Sequence, residues 1–113
     1  MSTKRLDSAL SGSAPIFAAL GDDTRLRLIA RLSVGEPLSI TTLATGAAVT
    51  RQAITKHLHV LESAGLISGV KHGREQLWEL QPRRLLAARR ALEIIERKWD
   101  SALSRLKDFV EMP

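Results

Sequence analysis

The segment from Ser39 to Gly65 constrains this chain more than any other, because it encodes two helices and the tight turn between them. Ser39 has the side chain of a helix N-cap, and the short helix it opens holds Ile40, Leu43 and Ala44 before Gly46 stops it. Ala47 to Val49 form a brief link. Thr50 then caps a longer helix that continues through Arg51, Gln52, Ala53 and Ile54 to Ala64, with Gly65 as its stop. Two helices joined this closely make a helix-turn-helix.

After Gly65 the apolar period changes from about 3.6 to 2. Leu66 to Val70 read as one strand and Gln76 to Leu80 as another, joined by the basic tip Lys71-His72-Gly73-Arg74-Glu75, where Gly73 can take a positive φ. Upstream, Met1 to Gly12 is polar and reads as a flexible tail, whose Lys4 and Arg5 could touch phosphates. Ser13 then caps a first helix with Pro15 in its opening turn and Ile16, Phe17 and Leu20 on one side. A second helix starts at Asp22 or Asp23 and carries Leu26, Ile29, Ala30 and Leu32 to about Ser33. Pro82 opens a last helix that reaches Val110. The expected fold is mainly α with a small β-hairpin, in the order of a winged helix-turn-helix, with residues 13–113 as one domain.

Placed at 100° per residue, the Thr50-capped helix buries Ile54, Leu58 and Leu61, while Gln52, Thr55, Lys56, His59 and Ser63 gather on the opposite face. Such a helix fits the major groove of B-form DNA, where Gln pairs with adenine, Arg or Lys with guanine, and Thr meets a thymine methyl. Arg51, Gln52, Thr55, Lys56 and His59 are therefore the candidate base-reading residues. Thr50, Lys71, His72 and Arg74 are candidates for the phosphate backbone, with Arg25 a further basic group near a helix start. His57 falls beside the buried stripe and is expected to be packed and hydrogen-bonded instead. The excess of 17 Lys and Arg over 12 Asp and Glu, a net charge of +5, agrees with a polyanionic partner.

Two seven-residue registers run along the last helix: Leu85, Leu92, Trp99 and Leu106 in one, Ala88, Ile95, Ala102 and Phe109 in the other. At 1.5 Å per residue this helix spans about 40 Å, longer than the body of so small a domain. Part of its stripe must meet something else, and a second copy of the same helix is the economical partner. Ile16, Phe17, Leu20, Leu85, Leu92, Ile95, Trp99, Leu106 and Phe109 are the candidate residues of a homodimer interface; the competing reading is a helix of the domain's own core.

Several classes are disfavoured. There is no cysteine, so no disulfide or thiolate site, which suits a reducing cytoplasm, and no apolar run long enough for a bilayer. No glycine-rich phosphate loop, nucleophile elbow or spaced ligand set points to an enzyme, a metal or a cofactor. The remaining rival to a DNA-binding regulator is a winged-helix module for protein or RNA, and the absence of stacking aromatics on the outer helix face argues against single-stranded RNA.

Three passages, ALGDDTRLRLI from Ala19 to Ile29, VTRQAITKHL from Val49 to Leu58 and VLESAGLI from Val60 to Ile67, resemble the ArsR-type (arsenic repressor-like) winged-helix regulators. That resemblance implies a homodimer, a recognition helix at Thr50 to Ala64, a wing at Ile67 to Leu80 and repression from an operator. It also implies metal sensing in many members, through third-helix cysteines or last-helix histidines. This chain has neither: its third helix reads Ser39-Ile40-Thr41-Thr42-Leu43-Ala44, and His57, His59 and His72 all lie elsewhere. It is similar to the metal-independent group.

Overall fold

The computed structural model describes residues 3–111 of the chain. In order these form α1 (Thr3–Leu20), α2 (Asp23–Leu32), β1 (Leu38–Ser39), α3 (Ile40–Ala44), α4 (Arg51–Ser63), β2 (Ile67–His72), β3 (Glu75–Leu80) and α5 (Pro82–Val110). The helix bounds from α2 onward follow local chemistry. Asp22, Ser39 and Thr50 each sit in extended backbone, and each side chain accepts a hydrogen bond from the N–H three residues on. Gly46 and Gly65 end the next turns at φ 75° and 78°.

The first helix differs from expectation. Thr3–Leu20 is one continuous helix with Pro15 inside it, so the segment to Gly12 is not an irregular tail and Ser13 is not a cap. Ser13 is buried, and its hydroxyl donates to the Ala87 carbonyl of α5 across 3.5 Å. Packing against α5 decides the matter: it holds helical a segment whose own composition carries little apolar periodicity. Pro15 forgoes the bond its missing N–H would have made and crowds the carbonyl of the preceding turn, a cost that the helix carries within its packed length. Met1 and Ser2, and the side chains of Lys4 and Arg5, lie outside the described residues.

The core joins α1, α2, α3, α4 and the sheet through Ile16, Leu28, Leu32, Leu43, Ile54, Leu58, Leu61, Leu66 and Trp78, all buried. Each fully buried Leu or Ile contributes roughly 1.5–3 kcal/mol. The sheet has three antiparallel strands in the order β1-β3-β2, with Leu38 opposite Trp78 and Ile67 opposite Leu80. β1 is two residues long and has no period to betray it. Pairing in the hairpin continues to His72 opposite Glu75, so the tip contracts from the expected five residues to Gly73-Arg74. A positive φ of 66° at Gly73, and none at Arg74, is the pattern of a II′ turn.

α5 runs for 29 residues, about 43 Å. Ala88 and Ala91 are buried where α5 packs with α1, and the molecule measures 70 × 27 × 21 Å. Of the residues expected between copies, Ile16 is fully buried in its own chain's core and is unavailable to a partner. Its neighbours Phe17 and Leu20, with Leu85, pack partly on that core, and Ile95 is half-buried. Leu92, Trp99, Leu106 and Phe109 stay exposed at 54%, 63%, 58% and 75%.

Candidate nucleic-acid interface

α4 is seated by Ile54, Leu58 and Leu61, each at most 1% exposed, and this pins its opposite side outward. Arg51, Gln52, Lys56, His59 and Ser63 are exposed along it. Thr50 Oγ1 accepts the Ala53 N–H at 3.1 Å, which commits the oxygen to the cap but leaves the hydroxyl proton free to donate. Thr55 is half-buried and donates its hydroxyl to the Arg51 carbonyl at 3.0 Å. It therefore presents a methyl outward more readily than a hydrogen-bond donor.

His59 is held from two sides. Its ring meets Trp78 of β3 edge-on, with centroids 6.1 Å apart and planes at 87°, and its Nδ1 lies 3.5 Å from Glu62 Oε1. Trp78 and Glu62 were not among the sequence candidates. An aromatic in a strand reads as core, and only the fold sets its edge against α4.

Between α4 and the hairpin lies a groove of about 370 Å³ lined by Arg51, Thr55, His59, Arg74, Glu75, Gln76 and Trp78, with Ser39, Ile40 and Thr41 at the start of α3. It brings three helix candidates together with the basic hairpin tip. Gln52 and Lys56 are not part of its lining. Strand parity sorts the hairpin: Lys71 pairs with Gln76 and so shares the sheet face of Trp78, whereas His72, paired with Glu75, lies on the other face. Among the described residues Arg51, Lys56, Lys71 and Arg74 make no ion pair, so their charges stay available to an external anion.

Arg25 departs from its expected place on phosphate. Its guanidinium donates to the carbonyls of Ala18 and Ala19 at the end of α1 and to His57 Nδ1, 3.2 Å away. His57 is thus packed and bonded, as its position beside the buried stripe implied. Asp22 completes the cluster: the Arg25 N–H, bonded to its carboxylate at 3.0 Å, is the chief influence holding the Asp22 pKa below its ordinary 3.8. Arg31 plays a similar part for α3, donating to the Thr42 and Leu43 carbonyls at 2.9 and 2.8 Å. No local sequence signal marks either arginine as a helix clamp.

No group of His, Asp or Glu among the described residues is arranged to hold a metal ion, and no described helix is long and apolar enough to cross a membrane. A family model described as a helix-turn-helix domain matches residues 20–70. The HTH-type transcriptional regulator Rv2034 of Mycobacterium tuberculosis is 34% identical over 95 residues, covering 84% of this chain and 85% of its own. An ArsR-like transcriptional regulator from Rhodococcus sp. RHA1 superposes with a TM-score of 0.77 at 37% identity, covering 94% of this chain and 99% of its own. The chain belongs to the ArsR family of winged helix-turn-helix transcriptional regulators. A second ArsR family transcriptional regulator structure, RHA00566, matches at 31% identity and TM-score 0.69 over 83% of this chain and 93% of its own. In this ArsR-family regulator β2 and β3 form the wing, α3 and α4 form the helix-turn-helix, and the chain is a DNA-binding regulator of transcription.

Proposed function

We propose that the protein is a homodimeric repressor that seats two α4 helices in successive major grooves of an inverted-repeat operator. Gln52, Lys56 and Arg51 read base edges there, with the Thr55 methyl and His59 at the flank of the groove. Thr50, Lys71 and Arg74 hold phosphates, and His72, on the far face of the wing, contributes only general attraction. The dimer is supported by the Leu92, Trp99, Leu106 and Phe109 stripe, whose exposure a single chain leaves uncovered. A winged helix-turn-helix domain from Mycobacterium bovis that shares this fold, at 20% identity and TM-score 0.61 over 93% of each chain, is described as homodimeric.

The observation that carries this reading is that four cations without an ion pair among the described residues, Arg51, Lys56, Lys71 and Arg74, lie on or beside one polar helix face, on a chain whose last helix bears an uncovered apolar stripe. Two-fold pairing places recognition helices about 34 Å apart, one duplex turn. Selection of genomic fragments by the purified protein at about 0.15 M salt should recover a shared inverted repeat next to a promoter, whose transcription the protein then lowers in vitro. Gln52→Ala should relax preference at one base pair of each half-site by about 1–3 kcal/mol. Fragments with no common repeat, or an unchanged preference in the variant, would defeat the assignment.

A further inference from the structure

Three helices meet at Arg25. Its backbone N–H closes the cap of α2 on Asp22, two of its guanidinium nitrogens hold the last carbonyls of α1, and the third reaches His57 in the middle of α4. A guanidinium can only donate, so His57 Nδ1 accepts and the ring proton sits on Nε2. Asp22 Oδ2 stands 3.8 Å from the same Nδ1.

We infer that Arg25 and His57 are positioning residues for DNA readout: their contact fixes the roll of α4 relative to α1, and so sets the half-site spacing the dimer accepts. The inference rests on the dimeric reading above. The apolar seat of α4 on Ile54, Leu58 and Leu61 sets its depth, but hydrophobic contact has no direction and resists rotation weakly. Above the buried Ile16, the outer edge of the seam between α1 and α4 is open: Pro15, Ala18 and Ala19 face Val60, Ser63 and Ala64 across a shallow groove of about 320 Å³. The hydrogen bonds of Arg25 supply the missing direction.

His57 lies roughly 60° round the helix from Ile54, with Gln52 and Lys56 on the opposite, outer side. Side-chain tips ride about 5–6 Å from the axis, so a roll of about 10° shifts them by about 1 Å, enough to misalign a bidentate contact. α1 in turn packs along α5, which carries the apolar stripe between copies. One polar tie thus joins the layer that sets the distance between protomers to the helix that meets DNA.

The test is selection from a library of inverted repeats with variable spacers, applied to the wild type, Arg25→Gln, His57→Leu and His57→Asn. The wild type should select one spacing. Arg25→Gln and His57→Leu should accept neighbouring spacings and bind the preferred operator about tenfold more weakly, while His57→Asn, whose Oδ1 replaces the lost acceptor, stays within about threefold. Salt dependence should be the same in all four, since neither residue touches phosphate; a slope reduced by about 1.8 in Arg25→Gln, one contact from each protomer, would make Arg25 a phosphate ligand and overturn the inference. Variants that melt earlier yet keep the wild-type spacing would show a cluster that only stabilises, and overturn it equally. A wild type that selects no inverted repeat sinks the dimeric reading itself, and the inference with it.

Discussion

Trp99 is the sharpest handle on the pairing of two copies. It is 63% exposed, and an indole that buries about 150–250 Å² in full leaves on the order of 100–160 Å² to be covered by a partner. At about 25 cal/mol per Å² this amounts to roughly 2.5–4 kcal/mol per copy. A two-fold interface contains Trp99 twice, and interfaces return only part of such transfer energy because ordering offsets the remainder. Trp99→Ala should therefore weaken dimerisation by about 10²- to 10⁴-fold. Its largely exposed side chain contributes little to the core, so the helical circular-dichroism spectrum and the integrity of the single chain should persist. Sedimentation equilibrium over a concentration series reads the dissociation constant, and operator binding should fall in parallel. A variant that dimerises as tightly as the wild type would place the interface elsewhere and break the argument from the exposed stripe.

The other predictions concern DNA contact, core and cap. Arg74→Ala should weaken binding to all duplexes alike and lower the slope of log affinity against log salt by about 1.8, one phosphate contact from each of two protomers, measured by fluorescence anisotropy from low to moderate salt. An unchanged slope would remove the wing tip from the phosphate contacts. Leu58 is fully buried, and Leu58→Ala should cost about 2–5 kcal/mol in urea unfolding, with a fall in Tm on the order of 10 °C or more. A smaller loss would mean that α4 is not the keel of the core. The Asp22 carboxyl titrates below 3.8 in the folded chain, chiefly through the Arg25 N–H, so its charged form stabilises the fold above that pH and the benefit is lost as pH falls through the lowered value. The difference in Tm between wild type and Asp22→Ala should be present near neutral pH and shrink in acid; a difference independent of pH would exclude the carboxylate charge as its source.

Legibility in the sequence tracks how local each determinant is. The bounds of α3, α4 and α5 follow from Ser39, Gly46, Thr50, Gly65 and Pro82, whose effects are exerted within one turn of chain. The position of His57 beside the buried stripe was likewise visible, because a helical angle needs only spacing. α1 was misjudged from Thr3 to Gly12 because contact with α5, more than sixty residues away, holds a polar segment in helix. β1 escaped notice for the same reason, since two residues become a strand only by pairing with β3. Arg25 shows the limit most clearly. Near a helix start it resembles a phosphate ligand, and only the folded chain brings the Ala18 and Ala19 carbonyls and His57 within its reach.

The two registers of α5 looked equivalent in sequence, and packing divides each of them along the helix, with Leu85 and Ala88 against the chain's own body and Trp99, Leu106 and Phe109 beyond it. Ala88 and Ala91 are buried where α5 packs with α1, while Leu92 beside them and Trp99, Leu106 and Phe109 further along are left in solvent. A helix that served its own domain alone would gain more by turning the large side chains inward, since each buried Leu contributes roughly 1.5–3 kcal/mol and an Ala far less. Small residues inside permit close approach of α1, and the large residues outside leave their burial energy unrealised in the single chain. In the dimer proposed above, that division assigns one part of α5 to the fold and the other to the partner copy. In that proposed dimer α1, tied to α2 and α4 by Arg25, is the layer that would pass closure of the interface on to α4.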